Sequence, residues 1–246
     1  MSSFHCVASA IVAGSCKMDA ITIVIPVFNE EESIKECVFN LRAFMAAAPY
    51  LVEYVIVDDG STDRTRDILQ SLGVSYVSHP ARRGYGAALK TGIGRSSHDL
   101  VCIIDADNQF FFYDICRLAA FAQDFDMVVG ARCGVLVRRP PGHHVIAKKF
   151  VSCLLGWIFG REVPDINSGF RIFNKAVLVP YLSALCEGFS FTASITLLML
   201  LDNRKIKYVP VSYAVRRGSC SKVRAIPYTW VFITSYVKIV WERIRK

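Results

Sequence analysis

Apolar and polar positions along the first 130 residues switch repeatedly between two periods. Ile21–Val27 is an unbroken, β-branched apolar run that stops at Asn29-Glu30, the pattern of a strand covered on both faces. Glu31–Ala48 changes to helical spacing, with Ile34, Val38, Leu41 and Met45 apolar and an acidic first turn. The exchange then recurs. Strands are predicted over Val52–Val57, Val74–Ser78, Leu100–Ile104 and Met127–Val129, and helices over Thr62–Leu72, Gly86–Gly94 and Asp114–Ala122. Further on, 142–162 reads as an amphipathic helix with a basic start (His143, His144, Lys148, Lys149). Asp165–Phe173 reads as a turn and strand, Lys207–Val215 as a late strand, and Thr229–Lys246 as a terminal helix. Strands alternating with helices predict an α/β fold: a Rossmann-like, mainly parallel central sheet with helices on both faces.

The acids change this picture from architecture to chemistry. They fall just after strands, where open α/β sheets bind ligands. Glu30, Asp58, Asp59, Asp105 and Asp107 are therefore expected to converge on one crevice. In Asp105-Ala106-Asp107-Asn108-Gln109, carboxylates two residues apart on an irregular segment can share a divalent cation. Gln109 adds a neutral oxygen, and such hard donors suit Mg²⁺ or Mn²⁺ together with a substrate's phosphates. Taken alone, such a pair is more often a solvated turn. In Asp58-Asp59-Gly60-Ser61-Thr62-Asp63, the carboxylates suit a nucleoside's base or ribose, or serve to cap a helix through Ser61 or Thr62 with Asp63 in the first turn. The expectation is that Asp63 caps and that Asp58 or Asp59 is free for ligand. Arg82–Lys90 is cationic and holds Gly84 and Gly86. It suits a diphosphate at a helix N-terminus and equally a plain tight turn; without a GKS/T ending it is not a P-loop.

Composition narrows the setting. The 246 residues carry 29 Lys+Arg against 21 Asp+Glu, a formal net charge of +8. Residues 203–246 hold 11 Lys/Arg and one acid, Glu242, a net +10 that leaves −2 on the first 202 residues. A basic end on a near-neutral body suits an anionic partner: nucleic acid, an anionic membrane or a phosphorylated substrate. At 53% hydrophobic residues and 20% charged, disorder is excluded. The mean hydropathy of +0.35 raises membrane contact. Yet no apolar run, including Val151–Gly160, Phe191–Leu201 and Thr229–Trp241, reaches the ~20 residues of a span. Nine scattered cysteines without a CxxC pair argue against a disulfide framework and for a reducing compartment. His79, His98 and His143-His144 have no metal spacing, and Trp157, Trp230 and Trp241 suit core packing or an interfacial belt. Residues 1–19 are expected to be a disordered or mis-annotated leader: no Lys or Arg precedes the apolar Ala8–Gly14, so the n-region of a signal peptide is missing, and Met18, just before the first strand, suits a true start.

Seven segments in order carry a family resemblance: Ile25–Glu30, Val57–Ser61, Gly84–Ala88, Asp105–Gln109, Gly130-Ala131-Arg132, Asp165–Arg171, and Arg216 ahead of Ser221-Lys222. Over roughly Ile21–Lys222 the chain resembles the family 2 glycosyltransferases of GT-A fold, most of all the polyprenyl- or dolichol-phosphate sugar (mannose or glucose) synthases. The resemblance implies a nucleoside pocket at Pro26, Phe28, Glu30 and Asp58, with Asp59, Gly84, Gly86, Ala106 and Lys222 also on the nucleotide-sugar. It implies a metal on Asp105, Asp107 and Gln109, and an acceptor phosphate near Arg132, Lys149, Ser168, Arg171 and Ser221. Asp107, Arg132 and Arg216 would act in catalysis, with Arg216, Ser221 and Lys222 on a loop closing over the diphosphate. The chain departs from the family at Arg82-Arg83, where an Asn-containing pair is common, and at Lys149 and Ser152, where Arg and Asn are usual. Ser194 stands at a family Glu position. A hydroxyl acceptor needs a carboxylate base, whereas a phosphate monoester is already largely ionised at neutral pH, so the missing acid favours a phosphate acceptor.

The domain expectation is a leader over 1–19, a glycosyltransferase domain over 20–225 and a basic amphipathic helix over 226–246. In that helix Lys238, Arg243, Arg245 and Lys246 suit an anionic leaflet, at about 1 kcal/mol per cation. The implied activity is inverting transfer from a UDP- or GDP-sugar to a polyprenyl phosphate, with Mg²⁺ or Mn²⁺, at the cytoplasmic face of a membrane. A membrane-protein partner or a homo-oligomer is compatible with this. Two alternatives stay open: transfer to a saccharide or glycolipid hydroxyl, and a scaffold that binds nucleotide-sugar without turnover. Nucleic acid is not an expected partner, because an acidic crevice repels phosphates unless a metal intervenes.

Overall fold

The computed structural model describes residues 19–132, 153 and 155–214. The leader, most of the 142–162 helix including His143, His144, Lys149 and Ser152, and everything from Val215 onward lie outside the described residues. The expectations for Arg216, Ser221, Lys222 and the 226–246 helix lie there too.

β1 (Ala20–Val27), β2 (Leu51–Asp58), β3 (Tyr76–Ser78), β4 (Leu100–Ile103), β5 (Met127–Ala131), β6 (Arg171–Asn174) and β7 (Ile206–Pro210) form one seven-stranded sheet ordered β3-β2-β1-β4-β6-β5-β7. All pairings are parallel except those of β6, which runs antiparallel between β4 and β5. The expected mainly parallel sheet is thus observed, and the strand predicted within Asp165–Phe173 enters it in the opposite sense.

Strand alternation distributes the core. Ile21, Ile23 and Ile25 of β1 pack on one face with Ile34, Val38, Leu41 and Phe44 of helix α1 (Ile34–Ala47). Val24 points to the other face, joining Leu89 and Ile93 of helix α3 (Tyr85–Arg95) and the apolar helix α5 (Phe191–Leu201). Phe191–Leu200 of α5 is buried throughout, so this apolar stretch is a core helix; each such large side chain contributes roughly 1.5–3 kcal/mol by leaving water. Among the described residues no helix is long and apolar enough to cross a membrane. Two short helices, α2 (Thr65–Ser71) and α4 (Asp114–Ala119), follow β2 and β4.

Helix α2 begins three residues later than predicted, because its expected caps are drawn to a neighbouring loop. Asn29 N donates to Ser61 Oγ at 2.9 Å, and Thr62 N donates to Asn29 Oδ1 at 2.8 Å. Asp63 turns the chain just ahead of the helix, its Oδ1 accepting from Thr65 N at 3.0 Å. Its Oδ2 accepts from Glu31 N at 3.2 Å. The exits of β1 and β2 are thereby tied together at the carboxyl edge of the sheet.

Candidate active site

Three acidic segments do meet at that edge, but they are not equivalent. At the β2 exit, Asp58 is 0% exposed and Asp59 3%. Asp58 Oδ2 accepts from Arg66 Nε at 2.6 Å and from Ser78 Oγ at 2.9 Å, and its Oδ1 accepts from Ser61 N at 3.1 Å. Burial pushes its pKa upward, but these hydrogen bonds outweigh burial and hold it below the ordinary aspartate value. Asp59 Oδ1 accepts from Arg83 N at 2.9 Å and lies 2.8 Å from His79 Nδ1, while Oδ2 accepts from Gly84 N at 2.7 Å. Asp58 thus ties α2 to β3, and Asp59 holds the Arg82–Gly84 turn.

That turn is also redirected. Gly84 has φ +117°, and a Cβ there would stand 2.4 Å from the Glu187 carbonyl oxygen. At Gly86 a Cβ would stand 2.3 Å from the Cys186 carbonyl oxygen. Ala87 N donates to Glu187 O at 3.1 Å. The glycines of this segment make room for the Cys186–Gly188 backbone, and amides expected on a diphosphate are engaged by Asp59 and Glu187.

The β1 exit holds the other expected nucleoside residues. Pro26 is buried in β1 opposite Val57. Phe28 lies under the Arg82 guanidinium, whose Cζ is 4.4 Å from the ring centroid. Glu30 Oε2 accepts from Ser33 Oγ at 2.8 Å, and Glu30 N donates to Thr65 Oγ1 at 2.8 Å.

The β4 exit is built differently. Ala106 is buried in the core while Asp105 and Asp107 are half-buried. Asp105 Oδ1 accepts from the Tyr85 hydroxyl at 2.9 Å. Its Oδ2 rests against Gly169, where a Cβ would stand only 2.2 Å away. Asp107 Oδ1 accepts from Gln109 N at 3.1 Å. Asn108, at φ +57°, turns the chain here and donates from Nδ2 to Ser33 O at 2.9 Å. Gln109 holds a different segment: Oε1 accepts from the Tyr213 hydroxyl at 2.7 Å and Nε2 donates to Ala214 O at 3.1 Å. Two half-buried carboxylates on a shaped segment fit a hard divalent cation. Gln109 adds a neutral amide oxygen, one of whose two lone pairs accepts from Tyr213. Among the described residues no group of three or more His, Cys, Asp and Glu gathers to hold a metal, so a cation here would rely on the two aspartates together with neutral oxygens of the protein or the substrate.

The residues expected at the acceptor phosphate separate into two kinds. Arg132 forms a bidentate pair with Asp165, Nε to Oδ2 at 2.6 Å and Nη2 to Oδ1 at 2.7 Å, with its Cζ 5.5 Å from the Tyr213 ring centroid. Burial alone disfavours its charge, but Asp165 outweighs burial and raises its pKa, so it is a fixed cation beside the crevice. Ser168 and Arg171 lie deeper. Both are 0% exposed, and Ser168 Oγ donates to Gly130 O at 2.6 Å. Arg171 donates to Ser168 O at 2.8 Å, Ile166 O at 2.7 Å and Thr196 Oγ1 at 2.6 Å. Arg171 thereby ties the 166–169 loop to α5 from inside the core, and Ser168 ties it to β5. Ser194 is buried in α5. Tyr85, Asp165 and Tyr213 lie at the site without having been assigned roles. Tyr85 and Asp165 fall inside resemblance segments, so motif membership was the available signal; Tyr213 had none.

A model of the family described as glycosyl transferase family 2 matches residues 22–193. The low-salt glycan biosynthesis hexosyltransferase Agl6 of Haloferax volcanii is 27% identical over 215 residues, which covers 85% of this chain and 51% of that protein. The undecaprenyl-phosphate 4-deoxy-4-formamido-L-arabinose transferase of Sodalis glossinidius is 28% identical over 213 residues, covering 84% and 63%. The chain therefore spans about half to two thirds of the length of these two relatives. Glucosyl-3-phosphoglycerate synthase from Mycobacterium tuberculosis, solved with Mn²⁺, UDP-glucose and phosphoglyceric acid, superposes with a TM-score of 0.70 at 20% identity over 94% of this chain and 82% of that one. The fold is that of the GT-A glycosyltransferases.

Proposed function

The chain belongs to glycosyl transferase family 2, and from that premise we propose that it moves one sugar from a UDP- or GDP-sugar to a polyprenyl phosphate at a membrane surface, on its cytoplasmic side. The observation that carries the donor half is the pair Asp105 and Asp107 at the exit of β4, the first held between Tyr85 and Gly169. Asp105 and Asp107 would hold Mg²⁺ or Mn²⁺ together with the donor diphosphate. When bound, such an ion neutralises charge developing on the leaving diphosphate. Arg132, fixed by Asp165, offers a permanent cation to the transferred sugar or the acceptor phosphate. A phosphate monoester attacks as an ionised oxygen without a protein base, in keeping with a buried serine at position 194. The acceptor half draws support from the Sodalis relative, whose name states an undecaprenyl-phosphate acceptor.

The test is transfer of labelled sugar by the purified full chain with Mn²⁺, using a panel of UDP- and GDP-sugars and undecaprenyl phosphate in vesicles. The expected product is a lipid-linked sugar that mild acid releases. An acid-resistant product would move the acceptor to a hydroxyl. A folded chain that binds donor yet transfers nothing would leave only the scaffold alternative.

A further inference from the structure

Tyr85 is the first residue of α3 and sits on the seam between two parts of the site. Its hydroxyl donates to Asp105 Oδ1 at 2.9 Å. Its ring stacks on Phe189, with centroids 5.7 Å apart and planes inclined by 18°. The seam is tight: Gly84 and Gly86 lie against the Cys186 and Glu187 backbone, and Ala87 N donates to Glu187 O at 3.1 Å. Tyr85 is therefore held by its ring on one side while its hydroxyl reaches across to the carboxylate on the other.

The carboxylate has two ways to lose its orientation, and both are blocked. Rotation of Oδ2 away from its position is limited by Gly169, against which it rests. Rotation of Oδ1 would break a charge-assisted bond from a phenol, roughly twice as strong as a neutral one. A carboxylate whose oxygens are oriented by such a partner binds metal more tightly, and loss of a partner of this kind typically costs about 10- to 100-fold in affinity.

We propose that Tyr85 is a positioning residue for the metal carboxylate Asp105, and that through its stack on Phe189 it couples the 187–189 segment to the metal site. The proposal rests on the metal role of Asp105 and Asp107 set out above. It assigns Tyr85 no contact with the reacting atoms. What it sets is the aim of Asp105, and movement of the Phe189 ring changes that aim.

The test measures Mn²⁺ binding by the loss of the free-ion electron paramagnetic resonance signal, using Mn²⁺ alone and Mn²⁺ with UDP or GDP, on the full chain. Tyr85→Phe removes one oxygen and keeps the ring stack. It should weaken Mn²⁺ binding by ~10-fold with an unchanged melting temperature, and turnover should recover as Mn²⁺ is raised. Phe189→Leu keeps the hydroxyl and removes the stack, and should weaken Mn²⁺ in the same direction by a smaller factor. A wild-type chain that binds Mn²⁺, with Tyr85→Phe binding it equally well, overturns this proposal alone. An effect of Tyr85→Phe without any effect of Phe189→Leu overturns the coupling to the 187–189 segment. A wild-type chain that binds no Mn²⁺ under any of these conditions overturns the metal reading itself, and this proposal with it.

Discussion

The exits of β2 and β4 carry the same kind of signature, two aspartates at the carboxyl end of a parallel strand, and put it to opposite uses. At β2 both carboxylates are buried and held from three sides: Asp58 by Arg66, Ser61 and Ser78, and Asp59 by His79 and two backbone amides. At β4 the intervening Ala106 is the buried residue, and the two aspartates stay half-exposed. The difference follows from spacing. Adjacent acids at positions 58 and 59 both remain within reach of the next strand and turn, while acids separated by a buried alanine are levered outward together. The β2 carboxylates are held by several partners inside the fold, whereas at β4 the partly exposed Asp105 is shaped by the Tyr85 hydroxyl and by Gly169.

Asp105→Asn attacks the ligand-facing side of this comparison and should have the largest effect. Transfer should fall by roughly 10²- to 10³-fold, the scale of removing one preorganised charge-stabilising group, while the melting temperature stays within a few degrees of wild type. A large drop in melting temperature would place Asp105 with Asp58 as a structural acid. Asp58→Asn attacks the other side. It turns an amide toward Arg66 and leaves that guanidinium without its partner. The expected cost is about 3 kcal/mol at the low end for breaking such a pair, since Arg66 is partly exposed. That corresponds to roughly 10 °C in a chain of this size, read by calorimetry.

The same acid predicts a pH dependence with a definite sign. Asp58 has its folded pKa depressed, so its stabilising contribution is complete above the unfolded value near pH ~4. It is lost as pH falls through the lower folded value. Chemical denaturation followed from neutral pH down to pH ~3 should show wild type losing stability faster than the Asp58→Asn variant. Parallel curves would mean that the Arg66 contact does not hold in solution.

Much of the architecture was legible because β-branched runs and helical periods are local signals, and five strands and the helices between them lie where those signals put them. The antiparallel sense of β6 was not, because a short apolar run carries no direction. The fates of the acids were half legible. Asp105 and Asp107 stand out by spacing, yet the side chains that hold Asp58 and Asp59, namely Arg66, Ser78 and His79, belong to no motif. Gly84, Gly86 and Gly169 were visible as glycines, but what approaches them is non-local. Two make room for the Cys186–Gly188 backbone and one for the Asp105 carboxylate. The surroundings of Arg171 were not legible for a related reason: the three neutral oxygens that hold it inside the core come from distant or unmarked positions.

Gly169→Ala tests the contact that distinguishes the β4 site without touching an acid. The added methyl would overlap Asp105 Oδ2, so the short side chain must turn. Mn²⁺ affinity should drop by ~10-fold with a modest loss of stability. An unchanged affinity would show that Tyr85 alone sets the carboxylate.

The smallest effect is expected at an acid that charge counting would include and the geometry excludes. Arg83 and Glu187 approach to 3.6 Å, but both side chains are 53% exposed, and such a pair contributes less than about 0.5 kcal/mol. Glu187→Gln should therefore move neither the melting temperature nor the Mn²⁺ dependence. Gly84→Ala should disturb both, because it opposes φ +117° and strikes the Glu187 carbonyl. At this residue the backbone oxygen, which accepts from Ala87 N and seats the Tyr85 turn, carries the structural role. If Glu187→Gln proved as damaging as Gly84→Ala, the carboxylate would have to be counted among the working acids, and the division between the two strand exits would no longer account for all of them.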